Sequence, residues 1–261
     1  MSDRFHYITD GNPRKSPLLW LHGFMGSCRE FEPAIDLLKS EFYCIRIDLP
    51  GHGKTKWSGN YSMERTARAI VQFVDEQQLS AIDLVGYSMG GRIALHLALN
   101  FPEKFPVAIL ESASPGLKTV SERQSRSQQD ADLADRLEMD FPQFLKMWYD
   151  RPLFASFAQQ KNFDKILVQR WQNSPTELAK ALRGLSTGEQ PSGWQNLPLH
   201  RHPLLLLAGE FDRKFIAINQ AMSELLPTAQ LQIIPDAGHV VHVEQPIAFA
   251  NRIAAFLSSI P

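Results

Sequence analysis

Residues 86–90 read GYSMG, a match to the pattern G-x-S-x-G. The stretch follows an apolar run at 81–85 and precedes a helical pattern at 91–99, so it predicts a tight strand-to-helix turn. In such a turn the serine adopts strained dihedral angles, and the flanking glycines leave room for neighbouring backbone. The serine hydroxyl then projects near a helix N-terminus, whose dipole favours developing negative charge. The sequence therefore predicts a nucleophile elbow with Ser88 as its serine.

Short apolar runs alternate with helical patterns on either side of this turn. We predict six strands, at 17–23, 43–49, 81–88, 107–112, 203–209 and 230–235. We predict helices at 31–39, 63–78, 91–100, 217–226 and 246–258. Strands that are apolar almost throughout are typical of a parallel sheet covered on both faces. The alternation therefore predicts an α/β fold of the α/β-hydrolase type, with a mostly parallel, doubly wound sheet.

One long interval, residues 116–202, breaks this alternation because it carries helical pattern and no convincing strand. A structureless loop of that length is uncommon in a compact domain. We therefore expect an inserted helical segment at 116–202, called the cap below. The α/β core is then formed by residues 1–115 and 203–261.

Two further residues are expected beside Ser88 because Ser–His–Asp enzymes on this fold run in the order serine, acid, histidine. Asp212 and His239 each follow a predicted strand, and active sites form at the carboxyl ends of parallel strands. His239 would take the Ser88 proton, and Asp212 would fix its tautomer and orientation. Glu210 competes for the role of the acid, but a place at the surface or behind the site fits it better. His242 competes for the role of the base, but we expect it to begin a surface helix.

The loop HGFMG, which begins at His22 after the first strand, lies where this fold places one oxyanion-hole amide. The residue after the serine supplies the other amide. The predicted donors are therefore the backbone N–H groups of Phe24 and Met89, while His22 is expected to hold the loop. Asp48 and His52 are expected to be structural residues of a turn.

Basic residues near the elbow indicate an anionic substrate. Arg92 follows Ser88 by four positions on a helix, so its guanidinium is expected near the serine, where it suits a carboxylate. Arg123 and Arg126 begin the cap and share a helix face because they are three residues apart. The alternatives are an ordinary ion pair for Arg92 and a solvated cap surface for the other two.

The composition excludes several classes of partner. The net charge is −1 with scattered basic residues, so we expect no nucleic acid partner. The polar N-terminus shows no signal peptide, and no apolar run approaches the roughly 20 residues that span a bilayer. Cys28 and Cys44 form no metal-ligand pattern and are expected to be reduced thiols of a cytoplasmic protein. We predict neither a metal nor a cofactor, and the oligomeric state is left open.

Motifs across nearly the whole chain resemble the MenH family, the 2-succinyl-6-hydroxy-2,4-cyclohexadiene-1-carboxylate synthases of the α/β-hydrolase superfamily. The elbow is generic to the fold, and the cap segments are what discriminate. The segments that carry the resemblance are VGYSMGGR (85–92), ESASPGL (111–117), ERQ (122–124) with Arg126, WYDRPLFAS (148–156), GEFDRKF (209–215) and AGH (237–239).

The resemblance implies a carbon–oxygen lyase rather than a hydrolase. Such an enzyme eliminates pyruvate from 2-succinyl-5-enolpyruvyl-6-hydroxy-3-cyclohexene-1-carboxylate, a step of menaquinone or phylloquinone biosynthesis. In this interpretation His239 deprotonates Ser88, and the Ser88 alkoxide removes a ring proton. The substrate carries three carboxylates, which gives Arg92 and Arg126 a purpose. Further family positions near the pocket are matched by Tyr87, Trp148 and Lys214, whereas a third carboxylate ligand such as Arg183 remains open.

Two other functions stay as alternatives. The first is a C–C bond or carboxylester hydrolase that acts on an acidic substrate with the same triad and water. The second is a small-molecule receptor that keeps the triad but signals through its cap. Product identity distinguishes the first, and a partner bound only when ligand is present would indicate the second.

Overall fold

The central sheet has seven strands in the order β1-β3-β2-β4-β5-β6-β7, in a computed structural model that describes residues 4–260. The strands are β1 (Tyr7–Asp10), β2 (Pro17–Leu21), β3 (Tyr43–Ile47), β4 (Asp83–Tyr87), β5 (Ala108–Glu111), β6 (Leu204–Gly209) and β7 (Ala229–Ile234). Strand β1 pairs with β3 in antiparallel fashion, and the pairs from β3 to β7 are parallel. The predicted mostly parallel α/β sheet is confirmed.

Ten α-helices connect and cover the strands within residues 4–260. They are α1 (Glu32–Leu38), α2 (Met63–Glu76), α3 (Met89–Asn100), α4 (Val120–Met139), α5 (Phe141–Tyr149), α6 (Phe163–Arg170), α7 (Pro175–Gly184), α8 (Arg213–Ser223), α9 (Val241–Glu244) and α10 (Pro246–Ser258). Short 3₁₀ helices lie at Pro152–Phe154, Phe157–Gln159 and Leu197–Leu199. Several helices begin at a polar cap; α4 begins at a capping box between Thr119 and Glu122, which satisfies N–H groups that the first turn leaves unpaired. No helix of this described part is long and apolar enough to cross a membrane.

The core consists of two apolar layers, one on each face of the sheet. Successive residues of β2 alternate between them, so that Trp20 packs in one layer and Leu19 in the other. All six residues of β6 are buried. This explains why the inner strands β2 to β6 lack a polar alternation, because neither of their faces meets solvent.

The structure corrects several details of the predicted elements. Strand β1 is absent from the prediction because its four residues (YITD) alternate between exposed and half-buried and form no apolar run, as expected of an edge strand. Helix α8 begins at Arg213 instead of residue 217, because Asp212 caps it by accepting a hydrogen bond from the Phe215 N–H. The four-residue helix α9 lies inside a stretch for which no helix was predicted.

Helices α4, α5, α6 and α7 all lie in the interval 116–202, between β5 and β6, and no strand occurs there. Helix α4 packs along α7. The division of the chain into a core and a cap stays a prediction. The interval nevertheless brings its helices over the carboxyl ends of the strands, because residues of α4 and α7 line the same cavity as Ser88.

Candidate active site

The turn between β4 and α3 places Ser88 in a conformation that non-glycine residues rarely adopt, with φ +50° and ψ −107°. Its N–H donates to the carbonyl of Glu111 at 2.9 Å. A Cβ atom on Gly86 would lie 2.6 Å from the carbonyl oxygen of Gly90, and one on Gly90 would lie 2.0 Å from that of Leu21. Both glycines are therefore required by the close approach of backbone around the serine.

The side chains of Ser88, His239 and Asp212 form a hydrogen-bonded chain, with His239 in the middle. Nδ1 of His239 lies 2.6 Å from Oδ2 of Asp212, and Nε2 lies 3.2 Å from Oγ of Ser88. Because the carboxylate accepts a hydrogen bond from Nδ1, Nε2 is left as the acceptor for the serine proton. Asp212 and His239 are 4% and 2% exposed, so the pair is shielded from water. This arrangement is able to activate a serine hydroxyl.

The loop after β2 lies beside the serine. His22 holds it in place, because Nδ1 donates to the carbonyl of Gly23 at 2.7 Å and Nε2 accepts from the N–H of Leu49 at 2.9 Å. Burial lowers the pKa of His22, which keeps the ring neutral in this role. Phe24 and Met89, the predicted amide donors, both line the cavity that contains Ser88.

Asp48 lies in the turn after β3, where its carboxylate accepts the N–H groups of Cys28 at 2.6 Å and Lys54 at 2.8 Å. His6 and Cys28 approach it closely enough to form a possible metal-ligand trio, with donor atoms within 4.8 Å of one another. However, both oxygens of Asp48 are already engaged, because Oδ1 accepts the N–H of Cys28, while Oδ2 accepts the N–H of Lys54 and lies 2.8 Å from Nδ1 of His6. The neighbouring His52 is buried and packs edge-on against Phe24. The chemistry of this trio therefore fits a structural turn.

A cavity of about 400 Å³ opens over Ser88 and His239. Its walls come from the elbow, from α4, α5 and α7, and from the start of α8. Polar and charged residues of the lining are Ser88, Arg92, Ser112, Ser114, Lys118, Glu122, Arg126, Asp130, Arg151, Ser186, Thr187, Lys214 and His239. Aromatic rings of Phe24, Trp148, Phe154, Trp194 and Phe215 complete it. A volume of this size suits a small organic molecule.

Positive charge dominates the cavity. Arg92, Arg126 and Lys214 all line it, as the sequence suggested, whereas its acidic side chains are Glu122 and Asp130. Burial and then Arg126 lower the pKa of Arg92 to about 10, and the same two causes lower the pKa of Lys214. The cations therefore repel one another, and an anionic occupant would relieve the repulsion.

Two of these arginines are held by neighbours. Arg92 donates to Oε1 of Gln190 at 3.1 Å and to the carbonyl of Leu185 at 2.8 Å. Arg126 uses Nε for both carboxylate oxygens of Asp130, at 2.9 Å each. Since Nε alone makes this contact, the two terminal nitrogens of Arg126 remain as donors for a ligand.

Other predicted residues lie outside the cavity, with the exception of Trp148. Arg123 points to another face of α4, because the helix places Glu122 and Arg126, four residues apart, on the cavity side. Tyr87 is buried behind the serine, with its ring centroid 5.5 Å from that of His239. Arg183 is paired with Asp135 and Glu138 on α4 instead of facing the cavity.

Lys118 and Arg151 also line the cavity, although the sequence analysis assigned no role to either. Each lies over an indole: the ammonium nitrogen of Lys118 is 4.3 Å from the ring centroid of Trp194, and the Arg151 guanidinium carbon is 4.2 Å from that of Trp148. Arg151 occurs in the segment 148–156 that resembles the family, and Lys118 directly follows the segment 111–117. In the sequence, Lys118 is one residue after Leu117 and Arg151 is three residues after Trp148. Such a position does not distinguish a cavity residue from an ordinary basic residue at the surface.

A buried group of charges lies behind the triad. Arg170 of α6 forms an ion pair with Glu30 and donates to the carbonyl of Met25 at 3.0 Å. His242 lies against Glu111, with Nδ1 2.8 Å from Oε2, and its Nε2 is 3.8 Å from Glu30. The expectation that His242 is a surface residue at a helix start is therefore wrong in its exposure: His242 is the second residue of the short α9 and is fully buried. Glu210, by contrast, is exposed and accepts the N–H of Asp236.

The protonation of His242 makes stability depend on pH. Burial opposes its charge, but Glu111 and Glu30 outweigh burial and raise the pKa to about 9, against 6.5 in the unfolded chain. Between these values the folded state retains a proton that the unfolded state has released. The free energy of unfolding should therefore fall from pH 6.5 to pH 9, by at most about 3 kcal/mol.

Urea denaturation at a series of pH values measures this fall. The two cysteines, whose pKa values are also raised by burial, lower stability only at higher pH, because their unfolded values lie near 9. A His242→Gln variant serves as the control and should flatten the profile. A flat profile in the unmodified protein would show that His242 is neutral when folded.

Comparisons with known proteins place this geometry in a family. Residues 16–246 match the α/β hydrolase fold family. The chain is 39% identical to a protein of Bacillus subtilis (strain 168) named putative 2-succinyl-6-hydroxy-2,4-cyclohexadiene-1-carboxylate synthase, over 100% of this chain and 97% of that protein. The solved structure of MenH from S. aureus superimposes with a TM-score of 0.93 at 34% identity, covering 97% of this chain and 98% of the other.

A more distant structure is an esterase from Thermogutta terrifontis, solved with malate bound. Its TM-score is 0.84 at 26% identity, with 98% of this chain and 93% of the other covered. The higher identity and closer superposition therefore favour the synthase over the esterase. This chain belongs to the α/β-hydrolase family and, within it, to the 2-succinyl-6-hydroxy-2,4-cyclohexadiene-1-carboxylate synthase (MenH) family.

Proposed function

We propose that this protein eliminates pyruvate from 2-succinyl-5-enolpyruvyl-6-hydroxy-3-cyclohexene-1-carboxylate to give 2-succinyl-6-hydroxy-2,4-cyclohexadiene-1-carboxylate. The observation that carries the proposal is a cavity rich in positive charge, which lies directly over the hydrogen-bonded side chains of Ser88, His239 and Asp212. Cationic residues of the cavity are Arg92, Lys118, Arg126, Arg151 and Lys214. A substrate with three carboxylates matches this excess of positive charge, whereas a neutral ester would leave it uncompensated.

The reaction begins with a proton transfer in this proposal. Nε2 of His239 takes the proton of the Ser88 hydroxyl, and Asp212 stabilises the resulting imidazolium. The Ser88 oxygen then removes the ring proton next to the succinyl carbonyl. Electrons of that C–H bond move onto the carbonyl oxygen, where the N–H groups of Phe24 and Met89 stabilise the negative charge.

The second half of the reaction breaks a carbon–oxygen bond. The negative charge returns into the ring, the ring double bond shifts, and the bond from the ring to the enolpyruvyl oxygen breaks. Enolpyruvate leaves and takes up a proton to become pyruvate, while His239 returns to its neutral state. Ser88 acts here as a base, so neither water nor an acyl-enzyme takes part. The arginines bind the carboxylates and thereby position the ring proton within reach of the Ser88 oxygen.

Release of pyruvate by the purified protein tests this proposal. We expect stoichiometric formation of pyruvate and of the cyclohexadiene product, monitored through lactate dehydrogenase and through the absorbance of the new diene. In ¹⁸O-labelled water no label should enter the ring product. Ester hydrolysis with label in the acid product and no pyruvate would instead establish the hydrolase alternative.

The partners and the location of the protein follow from this activity. We propose a small tricarboxylate as its ligand, without nucleic acid, and the cytoplasm as its location. The near-zero net charge supports the first statement, because no extended field attracts a polyanion. The reduced state expected of Cys28 and Cys44, which are both buried free thiols, is compatible with the second.

A further inference from the structure

Arg151 lies two residues after the end of α5 and is half-buried at the wall of the cavity. Its guanidinium carbon lies 4.2 Å from the ring centroid of Trp148. The Trp148 ring is in turn held by Phe144, whose ring stacks on it at 5.5 Å. Stacking of this kind orients a planar guanidinium while leaving the N–H groups at its edge for other acceptors.

No hydrogen-bond or ion-pair partner for the Arg151 guanidinium occurs among residues 4–260. Arg92 and Arg126, in contrast, are engaged by Gln190 and Asp130. Burial and the nearby Arg126 also lower the pKa of Arg151. Asp130 compensates for these effects only in part. A half-buried guanidinium near a second one, with no ion-pair partner of its own, is unfavourable, and a carboxylate ligand would relieve this.

The neighbours of Trp148 indicate which carboxylate this is. The ring of Phe24, whose N–H is the proposed donor to the succinyl carbonyl, lies 5.3 Å from the ring of Trp148. Phe24, Trp148 and Arg151 therefore follow one another along the cavity wall. In the substrate, two methylene groups separate the succinyl carbonyl from its terminal carboxylate. We infer that Arg151 binds this terminal carboxylate, with Trp148 as the platform that holds the guanidinium; the inference rests on the proposed function.

Steady-state kinetics of an Arg151→Gln variant test the inference. We expect KM for the enolpyruvyl substrate to rise about 10- to 100-fold, as for loss of a charge-assisted pair, with little change in kcat. Arg151→Lys keeps the charge but not the flat fork, and should recover part of the affinity. Lys146→Gln is the matched control, because it removes an exposed cation of α5 that does not line the cavity. An unchanged KM in Arg151→Gln would overturn the inference.

Binding of a fragment separates this inference from the proposed reaction. The probe is 4-oxopentanoate, which contains the ketone, the two methylene groups and the carboxylate of the succinyl arm. In NMR titrations it should bind the unmodified protein about tenfold or more tightly than its ethyl ester, and Arg151→Gln should abolish this preference. A preference that persists in Arg151→Gln overturns the inference even if pyruvate is released. Failure to release pyruvate overturns the proposed reaction but leaves the fragment result to decide on the subsite.

Discussion

Replacing Ser88 with alanine should lower the rate of pyruvate release by at least about three orders of magnitude. The hydroxyl oxygen lies 3.2 Å from Nε2 of His239, and in the proposed mechanism it is the atom that removes the ring proton. Alanine leaves no oxygen there, and the imidazole is one atom too far back to replace it. His239 and Asp212 remain in place. The residual rate would therefore measure how much substrate positioning and the amide donors contribute without a base at position 88.

Single-turnover measurements of pyruvate release give this ratio. The variant should keep its circular dichroism spectrum, its melting temperature and its affinity for the product, because alanine removes one oxygen and opens no apolar cavity. Ser125→Ala, at an exposed serine of α4, is the matched control and should retain full activity. A Ser88→Ala enzyme within about tenfold of the unmodified rate would mean that His239 or a bound water is the base.

Replacing Arg170 with methionine should lower the free energy of unfolding by about 3–5 kcal/mol. The change leaves the carboxylate of Glu30 buried, at 8% exposure, with His242 at 3.8 Å as its remaining cationic contact. It also removes the donors to the Met25 carbonyl and to the Tyr149 hydroxyl. Methionine fills much of the same volume, so the loss is one of charge compensation rather than of packing.

Urea denaturation followed by circular dichroism measures the difference. Arg183→Met is the matched control, because Arg183 pairs with Asp135 and Glu138 at the surface, where an ion pair contributes at most about 1 kcal/mol. The double variant Arg170→Met with Glu30→Leu should recover part of the stability, since no charge is then left unpaired. Equal losses for Arg170→Met and Arg183→Met would mean that water compensates Glu30.

The core and the order of the candidate triad could be predicted from sequence because they depend on local patterns. Ser88, Asp212 and His239 each follow a strand, and parallel strands bring their ends to one edge. The inner strands of the sheet could be predicted as well, because strands that are buried on both faces are continuously apolar. Edge strand β1 was not predicted because its four partly exposed residues form no continuous apolar run.

The walls of the cavity could be predicted only in part, because they depend on how the helices of the cap pack. Arg126 was predicted to lie near the site, and it does line the cavity. Arg123 was wrongly predicted to share its helix face, because the start of α4 at Val120 decides which of its side chains face the cavity. Arg151 lies in a turn before a proline, where no periodicity reveals which way a side chain faces. His242 was misread because a polar residue beside a helix start is usually exposed, and its partner Glu111 lies 131 residues away.

The bond from Arg170 to the Met25 carbonyl crosses from α6 to the loop that carries Phe24. The side chain of Asn173 makes the same crossing at 3.0 Å. Arg170 at the end of α6 and Asn173 just after it therefore both donate to the Met25 carbonyl, so this part of the chain cannot move away from the loop without breaking two hydrogen bonds. A displacement of α6 would therefore also disturb the backbone next to Phe24, the residue whose N–H is a proposed donor to the substrate carbonyl.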